Sequence, residues 1–89
     1  MAQVHFTSWL RELVPDGPVE ASGGTVGDAL GAVFAARPQV RGYVLDDRGH
    51  LRKHVCVFVD GARLKNDQAL TQNIGPKTTL HVMQALSGG

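Results

Sequence analysis

The chain has 89 residues, with 9 Lys+Arg against 8 Asp+Glu and a hydrophobic content of 43%. One domain is the expected count at that length, too small for a deep substrate cleft beside a second core, which favours a carrier, adaptor or binding module over a self-sufficient enzyme. A net charge of +1 gives no basic field for a nucleic-acid backbone, no apolar run approaches a membrane span, and a single cysteine, Cys56, excludes an internal disulfide. Met1-Ala2-Gln3-Val4-His5 lacks the basic start and apolar stretch of a signal peptide, so a reduced, cytoplasmic protein is expected.

In chain order, Gln3 to Thr7 reads as a first strand, with Val4 and Phe6 alternating against His5 and Thr7. The stretch from Trp9 to Val14 reads as a helical turn or as more strand. Pro15-Asp16-Gly17-Pro18 is turn chemistry, and Val19-Glu20-Ala21 a short second strand, which together suggest a hairpin. Thr25 stands at an N-cap position with Asp28 three residues on, and Val26, Ala29, Leu30, Val33 and Phe34 recur on one helical face. Arg37 falls in the last turn and Pro38 stops the helix, so the main helix is expected from Val26 to Ala36.

Tyr43-Val44-Leu45 leads to the turn Asp46-Asp47-Arg48-Gly49. Leu51 to Val59 is the strongest strand pattern, with Val55, Val57 and Val59 on one face and His54, Cys56 and Phe58 on the other. Asp60-Gly61 is a hairpin turn signal, and Ala62-Arg63-Leu64 returns from it. Gln68 to Asn73 suits a short helical turn, and Thr78 to Leu86 a last strand with Leu80 and Val82 inward and His81 and Met83 outward. This order suits an α+β architecture, a β-grasp: a mixed sheet of four to five strands over one main helix. Its first and last strands would run parallel in the middle of the sheet.

Two segments carry a family resemblance. Thr79-Leu80-His81-Val82-Met83-Gln84-Ala85-Leu86-Ser87-Gly88-Gly89 resembles the end of a ubiquitin-like protein, a final strand running into a bare Gly-Gly. Val57-Phe58-Val59-Asp60-Gly61-Ala62-Arg63-Leu64 resembles that family's strand, glycine-containing turn and strand. The overall pattern is similar to the prokaryotic sulfur carriers of the ThiS/MoaD type, and Gly49 to Gly61 is nearest to the CysO-like branch. The resemblance spans Val4 to Gly89. It implies a ubiquitin-like domain over 1–86 and a flexible diglycine tail over 87–89.

The resemblance also implies a chemistry. Gly88 and Gly89 lack Cβ atoms and can lie extended in a channel too narrow for a side chain. In the family, an E1-like partner uses ATP and magnesium to adenylate the C-terminal carboxylate, here that of Gly89. Sulfur then displaces AMP, and the thiocarboxylate delivers it to a sulfur-accepting biosynthetic enzyme. The carrier is a cosubstrate, monomeric when free and without a bound cofactor, and no phosphate-cradling loop stands in this sequence. The partner is expected to read Phe58 and Met83, with His81 beside them, and then Leu86 and Ser87 leading into the tail. Ubiquitin's tail arginines are replaced by Ala85 and Ser87, and no residue follows Gly89, so neither a eukaryotic conjugation cascade nor a maturation protease is expected.

Other chemistries are weaker. His54, Cys56 and His81 are zinc-ligand types, but a structural zinc wants four ligands. Cys56 has no evident base, Asp46-Asp47 suits a solvated turn, and Trp9 suits sheet-edge packing better than a partner anchor. Two alternatives of other classes remain: a modifier that forms isopeptide bonds to lysines through Gly89, and a docking module that works through the Phe58 and Met83 face.

Overall fold

The computed structural model describes residues 1–7, 12–14 and 17–84. Strand β1 (Ala2–Phe6) buries alternate residues, Ala2, Val4 and Phe6. It pairs antiparallel with β2 (Val19–Ala21), whose Val19 stands opposite Val4. The expected helix forms as α1 (Val26–Ala36). Thr25 is extended at φ −134° and ψ 165°, and its hydroxyl oxygen accepts the Asp28 N–H at 3.1 Å. Two further first-turn donors find carbonyls outside the helix, Val26 N–H on Gln72 at 3.0 Å and Gly27 N–H on Leu70 at 2.9 Å.

Pro38 does more than end α1. It is an early residue of a second helix, α2 (Pro38–Val44). Proline suits a helix's first turn because that N–H has no partner there. Arg37, at φ −135° and ψ 74°, is both the C-cap of α1 and the N-cap of α2. Val40 and Val44 are fully buried in the main core. The segment 37–50 therefore packs on the helical side of the sheet.

Strand β3 (Val55–Val59) is shorter than the expected Leu51 to Val59. Leu51 instead bridges to Leu45, and the Val55 N–H donates to Arg52 C=O at 3.0 Å, so the chain turns before the strand begins. The Asn66 amide pins this turn, donating to Val55 C=O at 2.8 Å and Arg52 C=O at 3.3 Å. Asp60 at φ 47° and Gly61 at φ 89° make the tight turn into β4 (Ala62–Arg63). Helix α3 (Asn66–Ala69) begins earlier than the expected Gln68, and β5 is Thr79–Gln84.

The strand order is β2-β1-β5-β3-β4, with β1 and β5 parallel at its centre. Against the inner face lie Val26, Leu30, Val33 and Phe34 of α1, packed on Val4, Val57, Leu80 and Val82. Leu30 and Leu80 are the largest of the fully buried side chains. Burial of apolar surface of this kind supplies about 1.5–3 kcal/mol per large side chain. Among the described residues, no helix is long and apolar enough to cross a membrane.

Candidate functional site

The alternation that buries Val55 and Val57 turns Cys56 and Phe58 to the other face of the sheet, away from α1. Register completes a row there. Phe58 on β3 stands opposite His81 on β5, His81 beside His5 on β1, and Phe58 opposite Arg63 on β4. The row Arg63–Phe58–His81–His5 thus crosses four strands. Phe58, His81 and His5 are half-buried and Arg63 is exposed. Phe58 is not part of the core cluster. Met83, also half-buried, lies one pleat further along β5, opposite Cys56.

The His5 and His81 rings stack with centroids 4.7 Å apart and planes 16° from parallel. Burial, and then the neighbouring His81 charge, lower the His5 pKa below its usual value. Cys56 is buried despite facing outward, and its thiol donates weakly to Met83 C=O at 3.7 Å.

His54 is not on this face. It lies exposed in the turn before β3, so the expected alternation of His54 with Cys56 fails at the point where the chain turns. Among the described residues, no group of three or more His, Cys, Asp or Glu side chains is arranged to hold a metal ion. Asp46 is a turn residue as expected. Its Oδ1 accepts the N–H groups of Arg48 at 2.9 Å and His50 at 3.0 Å, and these, His50's first, hold its pKa below the usual value.

Of the residues expected to meet a partner, the structure brings Phe58, His81 and Met83 to one face. Leu86, Ser87, Gly88 and Gly89 lie outside the described residues, as does Trp9. His5 and Arg63 were not singled out as site residues. The signal for His5 was its place in the β1 alternation, but its neighbour follows from the parallel β1–β5 register, which no local pattern states.

A mixed sheet with its first and last strands parallel at the centre, crossed on one side by a single long helix, is the β-grasp architecture, the ubiquitin-like fold. The chain is similar over nearly its whole length to SAMP1 from Haloferax volcanii, at 27% identity and a TM-score of 0.79, covering 99% of this chain and 98% of that one. It is also similar to a chain of the Amycolatopsis orientalis BexX/CysO complex, at 21% identity and a TM-score of 0.85 with 100% of both chains covered. Mycobacterium tuberculosis CysO, described as an antigen, superposes with a TM-score of 0.84 at 20% identity, covering 97% of this chain and 100% of that one. No protein-family profile and no curated protein sequence matches.

Proposed function

We propose that this protein is a ubiquitin-like sulfur carrier that works through the carboxylate of Gly89. The observation that carries the reading is the place of β5. It is a central strand, paired on both sides by β1 and β3, and in the sequence only Ala85-Leu86-Ser87 separate its end from Gly88-Gly89. A strand so held is a rigid mount for whatever follows it. From Gln84 to Gly89 the backbone spans at most about 18 Å, enough to carry a carboxylate into a narrow partner site. The similarity to CysO, found in complex with BexX, supports a protein that works by engaging another protein.

In this reading an E1-like partner supplies ATP and magnesium. A Gly89 carboxylate oxygen attacks the α-phosphorus, pyrophosphate leaves, and an acyl-adenylate forms. A sulfide equivalent attacks the acyl carbon, AMP leaves, and the product is a thiocarboxylate. A sulfur-accepting biosynthetic enzyme then takes that sulfur, and hydrolysis returns the carboxylate. The outer-face residues Phe58, Met83 and His81 serve the partner as a docking surface, with Leu86 and Ser87 guiding the tail. Gly88→Val tests the tail: activation should vanish by steric blockade while the thermal transition stays at its wild-type midpoint.

A second reading has its own support. SAMP1 is a small archaeal modifier protein in name, and this chain is 25% identical to it in a second crystal structure from H. volcanii. The same activated Gly89 would then be attacked by a lysine amine, with AMP as the leaving group and an isopeptide bond as the product. Lysine-linked adducts in cells, absent with Gly88→Val, would favour this reading over sulfur transfer.

A further inference from the structure

The two central strands border a cavity of about 310 Å³. His5 lines it from β1 and His81 from β5, Thr7 lines it two residues on from His5, and Phe6, Val14 and Pro18 supply apolar wall. Two independent observations meet there. The His5 and His81 rings stand side by side, centroids 4.7 Å apart and planes 16° from parallel. The Thr7 hydroxyl oxygen is buried without a hydrogen-bond partner, while the Thr7 N–H is held by Val82 C=O at 3.1 Å. Buried hydroxyls are almost always paired, so an orphan beside two imidazoles marks a group that a bound ligand, or a water on that ligand, satisfies.

We infer that His5 and His81 form a two-histidine site for a divalent transition-metal ion of the zinc class, with Thr7 holding a water on that ion. The lining selects this chemistry. None of the described residues around the cavity is Lys or Arg, so an anion meets no fixed positive charge there. None is Asp or Glu, so a hard cation that prefers oxygen ligands meets no carboxylate. Imidazole nitrogen suits zinc, copper and nickel. Zinc at about 2.0–2.1 Å from one nitrogen of each ring needs those nitrogens about 3.3 Å apart, so binding draws the two rings together at one edge. The parallel register already holds His5 opposite His81 on neighbouring central strands, so side-chain rotation is enough.

Two protein ligands leave the other positions of a tetrahedral ion to water, for which the cavity has room at about 30 Å³ per molecule. Such a site is open and exchangeable, and it falls short of the three or more clustered ligand side chains that the described residues lack. It uses neither His54, exposed in the turn before β3, nor the buried Cys56. It stands independently of the carrier reading.

The test titrates the untagged full chain with Zn2+ against a chromophoric chelator. The wild-type chain should take up one equivalent with micromolar affinity. Thr7→Val, which removes the hydroxyl at nearly constant volume, should weaken binding about tenfold, and His5→Gln or His81→Gln by more. His54→Gln should leave it unchanged. No uptake by the wild-type chain, or an affinity that His5→Gln and His81→Gln leave unchanged, overturns the inference. A wild-type affinity for Thr7→Val overturns the part given to Thr7. If the histidine variants lose their circular dichroism signature, the wild-type chain decides by NMR. Co2+ should then broaden the ring resonances of His5 and His81 and spare those of His54, and broadening at His54 alone overturns the inference.

Discussion

His5 and His81 face each other across the parallel pairing of the first and last strands, their rings stacked 4.7 Å apart. Burial, and then a charge on His81, oppose protonation of His5. Around them stand Phe58 on β3, with Arg63 beyond it on β4, and on β2 the nearest acid is Glu20, opposite Gln3.

The His5 pKa is lowered by burial and by His81, so the unfolded chain binds this proton more readily than the folded one. The stability linked to His5 is therefore fully present above about pH 6.5, the unfolded value, and is lost as pH falls through the folded pKa. Thermal midpoints measured between pH 7.5 and 5 should decline on acidification. His5→Gln should flatten that decline, and an equal slope in the variant would show that other groups carry it.

Two glycines on α1 should respond with opposite signs. A Cβ on Gly31 meets open space, so Gly31→Ala should stabilise by about 0.5–1 kcal/mol through helix propensity. A Cβ on Gly27 would stand 2.9 Å from the backbone oxygen of Leu70, to which the Gly27 N–H already donates. Gly27→Ala should therefore destabilise despite the same propensity gain. Chemical denaturation of the two variants reads both signs.

Leu30 is 1% exposed at the centre of the α1 face. Leu30→Ala should cost about 2–5 kcal/mol, enough to unfold much of a domain this small at physiological temperature. A loss below about 1 kcal/mol in urea titration would mean that neighbouring side chains close the cavity.

Phe58→Asp should leave the fold intact and weaken binding to the activating partner. Phe58 lies outside the core, and an aspartate there would face Arg63, a favourable cross-strand pair of about 0.2–1 kcal/mol. An unfolded variant by circular dichroism would show Phe58 to be a core residue instead.

The parts of this architecture set by local rules are readable in the sequence, and those set by register or by tertiary partners are not. Helix α1 begins and ends where Thr25, its apolar spacing and Pro38 place it. Helix α2 is hidden because Pro38 signals a stop and a start with the same residue. Strand β3 reads four residues too long because the alternation of Leu51 to Val55 continues through a turn whose only visible cause is Asn66, eleven residues after Val55. Phe58, His81 and Met83 share a face by simple period-two alternation. The His5–His81 stack depends on the long-range β1–β5 register, which no local pattern states, whereas the Phe58–Arg63 pairing follows from the two-residue Asp60-Gly61 turn. The chemistry assigned to Gly89 comes from the sequence resemblance alone.

Intact-mass spectrometry tests the central claim most directly. Wild-type protein is incubated with the E1-like enzyme, ATP, magnesium and a sulfur source, then digested. The account predicts a mass gain of one oxygen-to-sulfur exchange, located on the terminal peptide that ends in Gly89 and reversed when an acceptor takes the sulfur. An unchanged Gly89, with sulfur found instead on Cys56 as a persulfide, would contradict it and make that buried thiol the reactive group.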